Sequence, residues 1–146
     1  MALSEEIIAD ESTIRDYIPQ KSPMVMIGKL LEADGSLTRT SYTITNDNVF
    51  YKDGRFREAG LIENMAQTAA AGTGFMSKRK NQPPPVGFIG GIKNLRINSL
   101  PGLGDEITTQ IKIEHEIFDA RVASGIIFLN DSVIAECEFK IFLLKE

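Results

Sequence analysis

The sequence predicts an α+β fold: one antiparallel sheet of about six strands wrapped round a single long helix, plus a short helix near the N-terminus. Three observations carry that expectation. The stretch Ala59 to Ser77, AGLIENMAQTAAAGTGFMS, has helical spacing but no charged side chain from Asn64 to Ser77. Such a helix has no wet back and must be covered on most sides. Two strand-like runs meet at Asp34-Gly35 ahead of it, and nearly everything after Pro85 reads as strand with short turns. Short turns make antiparallel neighbours.

The elements follow in order. Ser12 to Ile18 reads as a short helix with Ser12 as N-cap. Met24 to Ala33 is apolar and strand-like, Asp34-Gly35 is a hairpin signal, and Leu37 to Thr45 is rich in Thr, as a returning strand would be. Asn46 to Arg57 reads as a polar loop. On the helix, Leu61, Met65, Thr68 and Phe75 share one face, and Ile62, Ala66, Ala69, Thr73 and Met76 the next. The small residues Ala69, Ala70, Ala71, Gly72 and Gly74 are poor for helix stability, but useful where another backbone presses close. Lys78, Arg79 and Lys80 suit the helix C-terminus, and Asn81 to Pro85 ends it. Val86 to Asn98 is the next strand, followed by a turn around Pro101 to Asp105. Ile107, Ile111, Ile113 and Ile117 then alternate with charged residues along Glu106 to Ile117, a half-buried strand of period two. Ala120 to Leu129 is apolar on both faces, as in a central strand. After Asn130-Asp131, Val133 to Leu144 puts Val133, Ala135, Cys137, Phe139, Ile141 and Leu143 on one face.

The 146 residues suit one domain spanning 1–146. The net charge of -4 offers no bulk attraction to nucleic acid. One cysteine and one histidine support neither a disulfide framework nor a metal site. The acidic start MALSEEIIADES lacks a signal-peptide layout, and the apolar helix is too short and too polar to span a bilayer. The expectation is a cytoplasmic protein with no membrane or nucleic-acid partner and no cofactor. Glu63 stands out, because a carboxylate on a buried helix is costly unless paired or put to use. Gln67, at i+4, lies within hydrogen-bond reach of it. His115 falls on the apolar side of its strand and reads as a packed residue; Cys137 reads as an inert core thiol.

Three stretches resemble the hotdog-fold 3-hydroxyacyl-(acyl carrier protein) dehydratases. Tyr17 to Leu31 (YIPQKSPMVMIGKLL) is similar to the family's opening, Leu61 to Ala69 (LIENMAQTA) to its helix motif, and Phe88 to Asp105 (FIGGIKNLRINSLPGLGD) to its glycine-containing strand. The loop YKDGRF and the extension TAAAGTGF resemble the branch associated with aryl-polyene pigment pathways. The resemblance implies a dimer acting on an acyl thioester. Glu63 is then the catalytic acid that assists departure of the 3-hydroxyl as water, and a backbone amide at Gly91, beside Gly90, holds the thioester carbonyl. Gln67 and Gln20 join the substrate site.

The resemblance also implies a histidine in the loop before the helix, yet 46–58 has none, and the second histidine position is Gln20. An amide does not act as a general base near neutral pH. Three functions therefore follow. The first is a 3-hydroxyacyl-thioester dehydratase completed by a hotdog partner in a mixed dimer or by an unusual arrangement at Gln20. The second is a hotdog thioesterase using Glu63, which needs no histidine. The third is a non-catalytic partner subunit. Acyl carrier protein or coenzyme A carries the substrate, and the dimer is formed with a second copy or a related chain.

Overall fold

The computed structural model describes residues 6–144. Its strands are β1 (Lys29–Ala33), β2 (Leu37–Thr43), β3 (Tyr51–Lys52), β4 (Arg55–Phe56), β5 (Val86–Ile97), β6 (Glu106–Ile117), β7 (Ala120–Leu129) and β8 (Ser132–Leu144), with one helix, α1 (Glu58–Arg79). Six strands form one antiparallel sheet in the order β1-β2-β6-β7-β8-β5. The sheet curls round α1, which is the wrapped-helix arrangement expected.

The helix behaves as its composition requires. No residue from Gly60 to Ser77 is exposed. One side is fully buried through Leu61, Asn64, Met65, Gln67, Thr68, Ala71, Gly72 and Gly74. Gly72 and Gly74 exist for close approach: an added Cβ would run into the Thr38 side chain at one and the Tyr17 backbone carbonyl at the other. The helix-facing side of the sheet supplies Ile107, Ile111, Ala123, Ile127, Ala135 and Phe139 to the same core.

Four expectations need correction. The N-terminal helix is only a 3-10 turn at Ile14–Asp16. Ser12 does not cap it; its backbone N–H and hydroxyl donate to the Asp10 carboxylate instead, and the hydroxyl bond first, then the N–H bond, holds the Asp10 carboxyl below its ordinary range. The first strand begins at Lys29 rather than Met24, because the backbone of Met24 and Met26 is hydrogen-bonded to the helix side chains Asn64 and Gln67 and not to a strand. The loop before the helix contains the small β3-β4 hairpin, turning on Asp53 and Gly54 at φ 54° and 79°. Finally, short connections do not make every neighbour: β5 lies beside β8, and 98–105 carries the chain across to β6, where Ile44 N–H donates to Asp105 O.

A further correction concerns His115. A break in the β6-β7 register between Ile113 and His115 shifts the alternation by one residue. His115 therefore pairs with Val122 on the outer face of the sheet, with Lys140 next in that row, instead of facing the core.

Cys137 is buried and free. Burial first, and the neighbouring Glu138 charge second, push its thiol up to about 12 from an ordinary 9.0. A thiol that resists ionisation in the folded chain stabilises the fold fully below its unfolded value, and that contribution is lost as pH rises through the interval to about 12. Denaturation midpoints measured across that interval are expected to fall more steeply for the wild type than for Cys137→Ala; parallel curves would refute the assignment.

Candidate active site

Helix α1 starts without a side-chain cap. Arg57 is extended at the N-cap, and its carbonyl accepts from Gly60 and Leu61 N–H. Glu63 follows one turn later and is half-buried. One turn further, Gln67 donates through Nε2 to Glu63 Oε1 at 2.9 Å.

Gln67 has a single workable orientation. Its Oε1 accepts from Met26 N–H at 2.7 Å, and its Nε2 donates to Met24 O at 2.6 Å as well as to Glu63. A flipped amide would set donor against donor and acceptor against acceptor. Gln67 is wholly buried with both donors engaged, so it orients Glu63 and holds the Met24–Met26 segment against the helix.

Asn64 reinforces that clamp. Its Nδ2 donates to Met26 O at 2.7 Å and its Oδ1 accepts from the Thr109 hydroxyl. Thr68 donates to the Asn64 carbonyl at 2.8 Å and meets the Thr40 hydroxyl at 2.7 Å. A polar seam thus ties α1 to β2, β6 and the N-terminal segment at the level of Glu63. Asn64 was not among the sequence-level candidates. Its signal was the presence of an amide in an apolar helical run.

The other candidates lie on different elements. Gln20, on the segment before Met24, is half-buried, and its Oε1 is buried with no hydrogen-bond partner among the described residues. Gly90 and Gly91 are on the edge strand β5, at an irregularity in its pairing with β8. An added Cβ at Gly90 would strike the Phe142 ring, whereas the space beside Gly91 is open. His115 lies across the sheet from Glu63, in a shallow outer cleft with Ile117, Phe118 and Val122. The chain has no other histidine. The geometry therefore offers an oriented carboxyl group, an orphaned acceptor and open backbone at the sheet edge, but no imidazole beside the carboxyl.

No helix among the described residues is long and apolar enough to cross a membrane.

Comparison with known proteins places this geometry. The chain is 30% identical over 110 residues to the 3-hydroxyacyl-(acyl-carrier-protein) dehydratase FabZ of Rhizobium etli, covering 71% of this chain and 69% of that protein. Its fold is similar to the dehydratase heterocomplex ApeI:P from Xenorhabdus doucetiae, with a TM-score of 0.82, 18% identity and 91% of each chain covered. It is also similar to a hypothetical thioesterase with coenzyme A from Streptococcus pneumoniae, at a TM-score of 0.66, 11% identity, and 80% of this chain and 85% of that one covered. The family model for ApeP-like dehydratases matches residues 12–145. The chain is thus a dehydratase-like hotdog protein, and it belongs to the ApeP-like dehydratase family.

Proposed function

We propose that this chain supplies the acid, Glu63, to a 3-hydroxyacyl-thioester dehydratase whose proton acceptor is a histidine on a related hotdog subunit. The observation that carries the reading is the pairing of an oriented, half-buried Glu63 with a lone histidine on the opposite face of the sheet. In the reaction the partner's imidazole takes a proton from the carbon next to the thioester. Protonated Glu63 gives its proton to the departing 3-hydroxyl, which leaves as water, and a trans-2-enoyl thioester remains. The Gly91 amide polarises the thioester carbonyl and so stabilises the charge that develops there. Gln20 Oε1 is a buried hydrogen-bond acceptor without a partner among the described residues.

Strand β5 suits such a partner. It is a sheet edge that exposes Val86 (66%) and Phe88 (51%), and an open edge with apolar side chains is a template for pairing with another chain. The substrate rides on acyl carrier protein or coenzyme A, and the assembly is cytoplasmic. The thioesterase alternative stands for one reason: water activation by Glu63 needs no imidazole.

The test mixes the purified chain with a histidine-bearing hotdog subunit and a 3-hydroxyacyl carrier protein, following enoyl absorbance and free thiol. Silence of the chain alone and enoyl formation with the partner are the expected results. Thiol release by the chain alone would establish the thioesterase instead, and enoyl formation without any partner would remove the need for a mixed dimer.

A further inference from the structure

The helix-facing side of β6, β7 and β8 carries Ile111, Ile113, Ala123, Ile127, Phe139 and Ile141. Two charged residues interrupt it, Glu116 and Arg121, directly opposite one another. Arg121 Nε meets Glu116 Oε1 at 3.2 Å, with the two side chains 27% and 57% exposed. The guanidinium then reaches off the sheet: its Nη1 donates to the Thr73 hydroxyl on α1 at 3.4 Å. Arg121 therefore bridges sheet and helix.

The place of that bridge matters. Thr73 is ten residues beyond Glu63, about 15 Å along the helix axis, the reach of a medium-length acyl chain. Between them the half-buried side of α1 presents Ala66, Ala69 and Ala70, which neither the sheet nor the N-terminal segment fully covers. Ile89 of β5 and Ile141 of β8 pack against the core, as Ala69 does. An acyl chain whose 3-hydroxyl sits at Glu63 and whose tail lies along this side would meet Arg121 at its far end.

We propose that Arg121, held by Glu116 and Thr73, is a specificity-determining residue that limits the length of the acyl chain. The proposal rests on the reading of Glu63 as the acid at the thioester end. The physical reason is desolvation. A methylene pushed past Thr73 strips water from the guanidinium and from its carboxylate partner and offers no hydrogen bond in return. Chains that stop short of the bridge leave the pair hydrated on its open side.

The experiment uses the complex of this chain with a histidine-bearing hotdog subunit and a series of straight 3-hydroxyacyl carrier proteins lengthened two carbons at a time. The wild-type complex is expected to lose roughly tenfold or more in kcat/KM at one step of the series, the scale on which a pocket rejects added methylenes. In Arg121→Ala that step moves to a chain at least two carbons longer, while the shortest substrate stays within about twofold of wild type, since no transition-state contact is removed. Arg121→Met, which keeps the length and drops the charge, supplies the same measurement if the alanine variant does not fold. An unmoved step in the folded variants, an equal loss at every length, or a wild-type profile with no step overturns the role of Arg121 and leaves the dehydratase reading standing. Absence of any enoyl product from the wild-type complex at every length overturns both.

Discussion

Replacing Glu63 by Gln is expected to lower enoyl formation by the active complex by about 10²–10⁴-fold, the contribution typical of a positioned general acid. The amide cannot deliver a proton to the departing hydroxyl. It can still accept from Gln67 Nε2, so the local hydrogen-bond pattern survives. The fold is therefore expected to keep its melting temperature, and the loss appears in kcat rather than in the amount of folded complex. Steady-state kinetics with a 3-hydroxyacyl carrier protein, paired with thermal denaturation, checks both halves. Turnover within a few-fold of wild type would remove Glu63 from the reaction.

Removal of the neighbouring amide has the opposite signature. Asn64→Ala is expected to destabilise the chain by about 3 kcal/mol, since it deletes two buried hydrogen bonds and strands their partners. Met26 O and the Thr109 hydroxyl, both out of water, lose the group that satisfied them. Asn64→Asp does not restore the pattern, because an ionised carboxylate has no N–H for Met26 O. Thr109→Val, combined with Asn64→Ala in a double-mutant cycle, should show strong coupling. Urea denaturation of the four proteins gives the numbers. Additive effects would mean that the two side chains stabilise the fold independently.

The two variants separate the two tasks on one helix turn. Glu63 points to the half-buried side and is free to act on a substrate. Gln67, on the same face as Glu63, and Asn64, round the helix from it, fasten the helix to the segment that precedes β1. Their spacing was visible in LIENMAQTA, and so was the i+4 relation of Glu63 to Gln67. What Gln67 does there was not visible, because two of its three partners are backbone atoms more than forty residues away.

The sequence by itself determined the long helix, the six strands of the main sheet and their order along the chain, from local causes. A charge-free run between Asn64 and Ser77 cannot sit in water. Period-two alternation in Glu106 to Ile113 can face only one core, and Asn-Asp or Asp-Gly pairs turn the chain. The motif stretches also pointed to the family and to Glu63. The tertiary structure alone decided which face each late residue takes and which strands meet. One register break past Ile113 sends His115 to the far side of the sheet, and the same shift brings Glu116 opposite Arg121 on the helix side. The placement of β5 beside β8 leaves β5 as an edge of the sheet. The β5-β8 pairing joins residues about forty to sixty apart in sequence, and the faces of late β6 turn on one inserted residue, since a slip of a single residue reverses every side chain beyond it.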